Sequence, residues 1–293
     1  VIFFTQNIYD KEHFKDAVST IKQNALIAPF LSIDQEGGRV ERTLNLYGGS
    51  HYLNARAAAN KGPETVKQQT DWISQELRYL GLNMNFAPVL DVDTNPANPI
   101  IGDRSFSSDP DKVTEYGKIV TDTYKQNHII PVGKHFPGHG DTKTDSHLEM
   151  PEVDLSFDEL ENIHIKPFKA LINDLPAIMA AHVHYTAFDR EKIPASVSQN
   201  VIENYLRKTL GFKGLVISDD MVMGGIKKFT PFEACKKAIN AGVNMFIFRT
   251  CNEMTISLIE QLATAVKNKD IDPKKIDTSI NYISNLKKNV AKP

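Results

Sequence analysis

From Lys134 to His147 the chain reads Lys-His-Phe-Pro-Gly-His-Gly-Asp-Thr-Lys-Thr-Asp-Ser-His, a stretch that holds three of the nine histidines. Asp145 and His147 lie two apart, a spacing that lets a carboxylate hydrogen-bond and orient an imidazole. Such a ring can donate a proton to a leaving group and later take one from water. A second candidate is Ser218-Asp219-Asp220, which closes an apolar run. A carboxylate there can attack an anomeric carbon or stabilise an oxocarbenium ion. Because side chains alternate along a strand, only one of the two aspartates is expected on an inward face. The plainer alternative has both capping the turn 221–225.

Other residues offer binding rather than bond-breaking. Asp34, at the head of Asp-Gln-Glu-Gly-Gly-Arg-Val, can accept hydrogen bonds from the hydroxyls of a polar ligand, or pair with Arg39 or Arg42. Arg104 sits in a loop stiffened by Pro96 and Pro99, where it can clamp a ligand or pair with Asp91 or Asp93. A metal reading is also open: His135, His139, Asp141 and His147, with His182 and His184, carry the donor types of a zinc hydrolase. His13, His128 and His164 read as surface or boundary residues, and Trp72 as a helix residue packed on the sheet.

The elements that must position these groups follow from the pattern of apolar runs. Strands are expected at 1–4, 28–33, 84–90, 129–133, 177–181, 215–218 and 245–248. Helices are expected at 11–23, 63–80, 110–127, 158–173, 199–210, 232–240, 253–268 and 276–289. Several helices open with proline, a cap or acids, as at Asp109-Pro110-Asp111 and Ser156-Phe157-Asp158-Glu159. Asp34, Asp91 and Asp93, Lys134 and His135, His182 and His184, Asp219 and Asp220, and Arg249 each follow directly after an apolar run. Six consecutive strands ending in ionisable groups describe the active face of a (β/α)₈ barrel; a doubly wound sheet would bring fewer to one crevice. Seven strands are counted where a closed barrel has eight, and the eighth would most simply precede Val1. The expectation is one barrel domain over 1–293, with an N-terminus that reads as a truncated start rather than a leader.

Bulk properties narrow the function. Thirty-four basic and 36 acidic residues give a net charge of −2, which provides no field for nucleic acid or an anionic membrane. No apolar run approaches the roughly 18 residues that span a bilayer. Cys235 and Cys251 are the only cysteines, and they form neither a disulfide framework nor a zinc pair. Two reduced, structural thiols in a cytoplasmic, monomeric protein without a cofactor are expected.

Taken together, the motifs resemble those of the β-N-acetylhexosaminidases of glycoside hydrolase family 3, especially the single-domain bacterial enzymes of cell-wall recycling. The resemblance rests on Lys134 to Thr142 with Asp145-Ser146-His147, on Ser218-Asp219-Asp220-Met221, and on Asp34 to Val40, Asn85 to Val92 and Arg104-Ser105-Phe106. It implies a TIM-type barrel, here lacking its first strand, and a retaining exo-β-N-acetylglucosaminidase acting on peptidoglycan-derived saccharides or muropeptides. It also implies that Asp219 rather than Asp220 is the nucleophile and that His147, oriented by Asp145, is the general acid/base. Asp34, Arg104, Lys134 and His135 would bind sugar hydroxyls, with His182 lining the pocket and no metal. Asn244 and Arg249 depart from the family pattern, which has an acid and a less bulky residue there. The alternatives are a metal-dependent barrel hydrolase, a non-catalytic sugar-binding protein and a family 3 β-glucosidase.

Overall fold

A computed structural model describes residues 1–146 and 148–290. All seven apolar runs become strands of one sheet: β1 (Ile2–Phe3), β2 (Ser32–Ile33), β3 (Met84–Asn85), β4 (Ile130–Phe136), β5 (Ala177–Ala180), β6 (Leu215–Asp220) and β7 (Met245–Ile247). Each pairs in parallel with the next in chain order. Parallel neighbours need crossovers, and helices supply most of them, so the sheet curls into a nearly closed TIM-type (β/α) barrel. Between β1 and β7 lies an apolar cleft of about 450 Å³, walled by Val1, Ile2, Met245, Phe246, Phe248 and Leu258.

Alternation along the strands divides the apolar residues into two cores. Phe30, Met84, Phe86, Ile130, Val132, Ala177, Met179, Leu215, Ile217 and Ile247 pack together inside the barrel. Intervening residues such as Ile33, Ile178 and Val216 face outward to the helices, against Leu77, Tyr124, Phe168 and Leu206. Each fully buried side chain of this size stabilises the fold by about 1.5–3 kcal/mol.

Several boundaries move. The ladders expected at 28–33 and 84–90 shorten to two residues each, with Val89 making only an isolated bridge to Lys134. By contrast, β4 runs through Phe136 and β6 through Asp220. Lys134 and His135 are therefore strand residues, not the base of the following loop. The helix expected at 158–173 starts as foreseen, with Ser156 and Glu159 forming a reciprocal cap. It then breaks into a π turn (Leu160–His164) and a short helix (Lys166–Ala170). Pro167 lacks the N–H that would continue the α ladder. The helix expected at 199–210 winds as a π helix over Asn200–Thr209.

Two side chains are corrected. Trp72 is 52% exposed and does not pack on the sheet, whereas His164 is 1% exposed and is no surface residue. The helix period fixes a face but not which face is covered. His164 is covered because the loop after β4 crosses it at Gly138, whose φ of 132° suits glycine and where a Cβ would come within 2.7 Å of the His164 Cβ. Cys235 is buried, and burial pushes its thiol up to about 12; Cys251 is exposed rather than structural. Among the described residues no helix is long and apolar enough to cross a membrane.

Candidate active site

The same alternation that builds the barrel interior delivers charge to its C-terminal end. Inward positions 30 and 32 continue to Asp34, positions 130 and 132 to Lys134, and positions 215 and 217 to Asp219. These groups meet in a cleft of about 360 Å³, lined also by Glu36, Arg104 and His135. Of the sequence candidates, the structure thus gathers Asp34, Arg104, Lys134, His135 and Asp219 around one space.

Lys134 is the hub of an ion network. Its side chain is 2% exposed, and its Nζ lies 2.7 Å from Asp34 Oδ1 and 2.6 Å from Glu36 Oε1. Arg104 grips Glu36 bidentately, Nε to Oε2 at 2.8 Å and Nη2 to Oε1 at 2.9 Å. Burial would raise the Glu36 carboxyl, but the charges of Arg104 and Lys134 outweigh it and hold the group far below the usual carboxylate range. The Arg104 guanidinium is held fully charged in return. Arg104 therefore pairs with Glu36 and not with Asp91 or Asp93; Asp93 takes Arg56 instead, at 2.9 Å. Asp34 also has Arg42 at 3.7 Å, while Arg39 pairs with Asp103.

Asp91 organises the imidazoles. Its carboxylate accepts the backbone N–H of His135 at 3.1 Å and of His139 at 2.7 Å, and it lies 2.7 Å from His135 Nδ1. Since an ionised carboxylate only accepts, Nδ1 carries the proton and Nε2 is the His135 nitrogen left for the cleft. Burial would raise Asp91, but His135, then His139, bring it down to about 2. His139 is a different case: burial first, then the neighbouring His135, lower it to about 4.

Burial would likewise raise the Asp219 carboxyl, yet His135, His182, the Asp220 N–H at 2.8 Å and Lys134 hold it below its ordinary value. The carboxylate is therefore ionised at neutral pH, at a half-buried position on the cleft. Only one of the two aspartates was expected on the inward face, but the register between β6 and β7 shifts between Ile217 and Asp220, and both line the cleft. Arg249, two residues past β7, donates its Nε to Asp220.

Three expectations fall elsewhere. His182 is 0% exposed, with Nδ1 2.7 Å from Ser196 Oγ, and lies behind the residues that line the cleft. Asp145 lies on the loop after β4, where its carbonyl accepts the N–H groups of Leu148 and Glu149 at 3.0 and 3.1 Å. His147 lies outside the described residues. The metal reading loses its geometry, because His139 uses both ring nitrogens on Thr142 and Ser146, and His184 Nδ1 faces the Ile193 carbonyl. Among the described residues no three His, Cys, Asp or Glu side chains converge as metal ligands would.

Sequence reasoning missed Glu36, although a buried lysine and arginine need a partner, and Glu36 stands two residues after Asp34 in the same motif. It also missed Ser196, for which the sequence carries no signal.

A profile of the family described as "Glycosyl hydrolase family 3 N terminal domain" matches residues 1–286. The chain belongs to this family. A β-hexosaminidase of Tolumonas auensis is 36% identical over 256 residues, covering 86% of this family 3 chain and 75% of the relative. β-Hexosaminidase A of Pseudoalteromonas piscicida is 32% identical over 313 residues, covering 98% and 52%. Among solved structures, the family 3 β-N-acetylglucosaminidase of a Paenibacillus species superposes with a TM-score of 0.93 at 34% identity, covering 99% of this chain and 56% of that one. The family 3 chain thus spans about half the length of two of these relatives.

Proposed function

We propose that this chain is the catalytic barrel of a retaining exo-β-N-acetylglucosaminidase that acts on peptidoglycan-derived N-acetylglucosaminyl saccharides. The observation that carries the reading is the state of Asp219, a half-buried carboxylate held below its ordinary value by His135, His182, the Asp220 N–H and Lys134, at the edge of a cleft lined with fixed hydrogen-bonding groups. Asp219 attacks the anomeric carbon as His147, oriented by Asp145, protonates the departing oxygen. Water then cleaves the glycosyl-enzyme, with His147 acting as base. Asp34, Arg104, Lys134 and His135 hold the sugar hydroxyls. His182, buried behind the cleft, backs the pocket beside Asp219. The β-hexosaminidase names of the relatives support the choice of an N-acetylated sugar.

Matched 4-nitrophenyl N-acetylglucosaminide and glucoside substrates test this reading, with Asp219→Ala as control. Release of 4-nitrophenol from the first, lost in the variant, is expected. Preference for the glucoside would point to a β-glucosidase, and binding of N-acetylglucosamine without release would point to a sugar-binding protein.

A further inference from the structure

The loop after β4 rests on a turn far away in sequence. Gly224 and Gly225 open the turn Gly224–Ile226 that follows β6, and both are buried. A methyl group at Gly224 would overlap the Leu148 carbonyl and lie 2.6 Å from the Glu149 nitrogen. One at Gly225 would lie 2.5 Å from the His182 carbonyl oxygen and 2.9 Å from its Cβ. Both approaches are closer than real Cβ contacts allow, so only glycine fits either place without a shift.

Hydrogen bonds join the same surfaces. The Gly225 N–H donates to the Ser146 carbonyl at 2.9 Å. From the β4 side, His139 Nε2 lies 3.0 Å from Ser146 Oγ, and its Nδ1 lies 2.9 Å from Thr142 Oγ1. Asn98 ties down that end, donating to the His139 carbonyl at 2.9 Å and to Thr142 Oγ1 at 3.1 Å. Ser146 is buried and lines the cleft. Thr142, Ser146, Leu148 and Glu149 are therefore held between β4 and the turn after β6, and that turn backs onto His182.

We infer that the Gly224–Gly225 turn is the docking seat of the loop at Ser146, Leu148 and Glu149, that the His139–Ser146 hydrogen bond is its latch, and that Gly224 and Ser146 are positioning residues for proton transfer by this loop. The inference rests on the acid/base role proposed above for the loop. Proton transfer requires hydrogen-bond reach, and a displacement of about 1 Å can cost 10²-fold in rate. The turn follows β6 directly, its Met223 N–H donating to the Asp220 carbonyl at 3.0 Å, so Ser146→Ala is the variant that loosens the loop without touching the strand of Asp219.

Two measurements on Gly224→Ala and Ser146→Ala test this. The first is hydrogen exchange of peptides covering 142–149, expected to be faster in both variants and unchanged in β4 and β6. The second compares kcat/KM for an alkyl N-acetylglucosaminide, whose leaving group needs a proton, with that for the 2,4-dinitrophenyl glycoside, whose leaving group does not. A loss of about 100-fold on the alkyl substrate and below about threefold on the aryl one is expected. Unchanged exchange overturns the seat, whatever the activity. Faster exchange with equal losses on both substrates overturns the positioning role. A parent protein that hydrolyses neither substrate overturns the functional reading and the positioning role with it, while exchange still decides the seat. Should Gly224→Ala fold poorly, Ser146→Ala, which removes one hydroxyl, carries both measurements.

Discussion

The strand ends of the barrel and the loop after β4 hold their polar groups in opposite ways. At the strand ends, Lys134, Asp34, Glu36 and Arg104 neutralise one another through charge-assisted bonds of 2.6 to 2.9 Å. Such bonds, desolvated and multiply connected, fix positions. The loop is attached by neutral hydrogen bonds from His139 and Gly225 to Ser146 and by backbone approach at Gly224. Neutral bonds of this kind contribute about 1 kcal/mol each. The difference suits the proposed division of labour, in which the ion-paired part would bind the sugar and present Asp219 and the loop would bring and remove a proton.

The largest effects should come from the two proposed reacting groups, and they should differ in kind. Asp219→Ala is expected to lower kcat by about 10⁴-fold or more on every substrate, since nothing replaces the attacking carboxylate. His147→Ala should cost about 10² to 10⁴-fold on alkyl glycosides and much less on aryl glycosides with good leaving groups. Steady-state kinetics on both substrate types separates the two; equal loss from His147→Ala would remove the acid from the loop.

Stability should then distinguish the regions. Glu36→Gln leaves Lys134 and Arg104 as buried cations short of a carboxylate, and breaking a buried pair costs about 3–5 kcal/mol. Urea unfolding would show it as a lower midpoint at unchanged slope. A Ser146→Ala cost as large as that of Glu36→Gln would erase the contrast.

Acid should loosen the loop side before the strand ends. Above an unfolded pKa of about 6.5, His139 is neutral in both folded and unfolded chains, and stability is complete. Between that pH and the folded value of about 4, the unfolded chain takes up a proton that the buried ring refuses. Stability falls by about 3 kcal/mol across this window. Asp91 has the opposite history: its contribution is present above the ordinary aspartate value and is lost as pH falls towards about 2. Unfolding midpoints between pH 7 and 4, compared with those of His139→Gln, measure the first window; a variant with the same slope would contradict it.

Much of this was legible in the residues. Apolar runs located all seven strands because a parallel sheet buried on both faces demands them. Period-two alternation from those runs is enough to place Asp34, Lys134 and Asp219 on one interior. It failed at Asp220, since a register shift cannot be read from one strand alone. It also ended β4 too early: Lys134 and His135 read as loop until Asp34, Glu36 and Asp91, all distant in sequence, satisfy them inside a strand. Trp72 and His164 were misplaced for one reason, that local pattern does not say which neighbour covers a face.

The central claim is that Asp219 forms a covalent bond to the sugar. Incubation with a 2-fluoro-sugar that has a good leaving group, followed by digestion and peptide mass spectrometry, tests it directly. The expected result is an adduct on the peptide spanning β6, mapped to Asp219 and absent from Asp219→Ala. An adduct on Asp220, on His147 or on any other residue would contradict it.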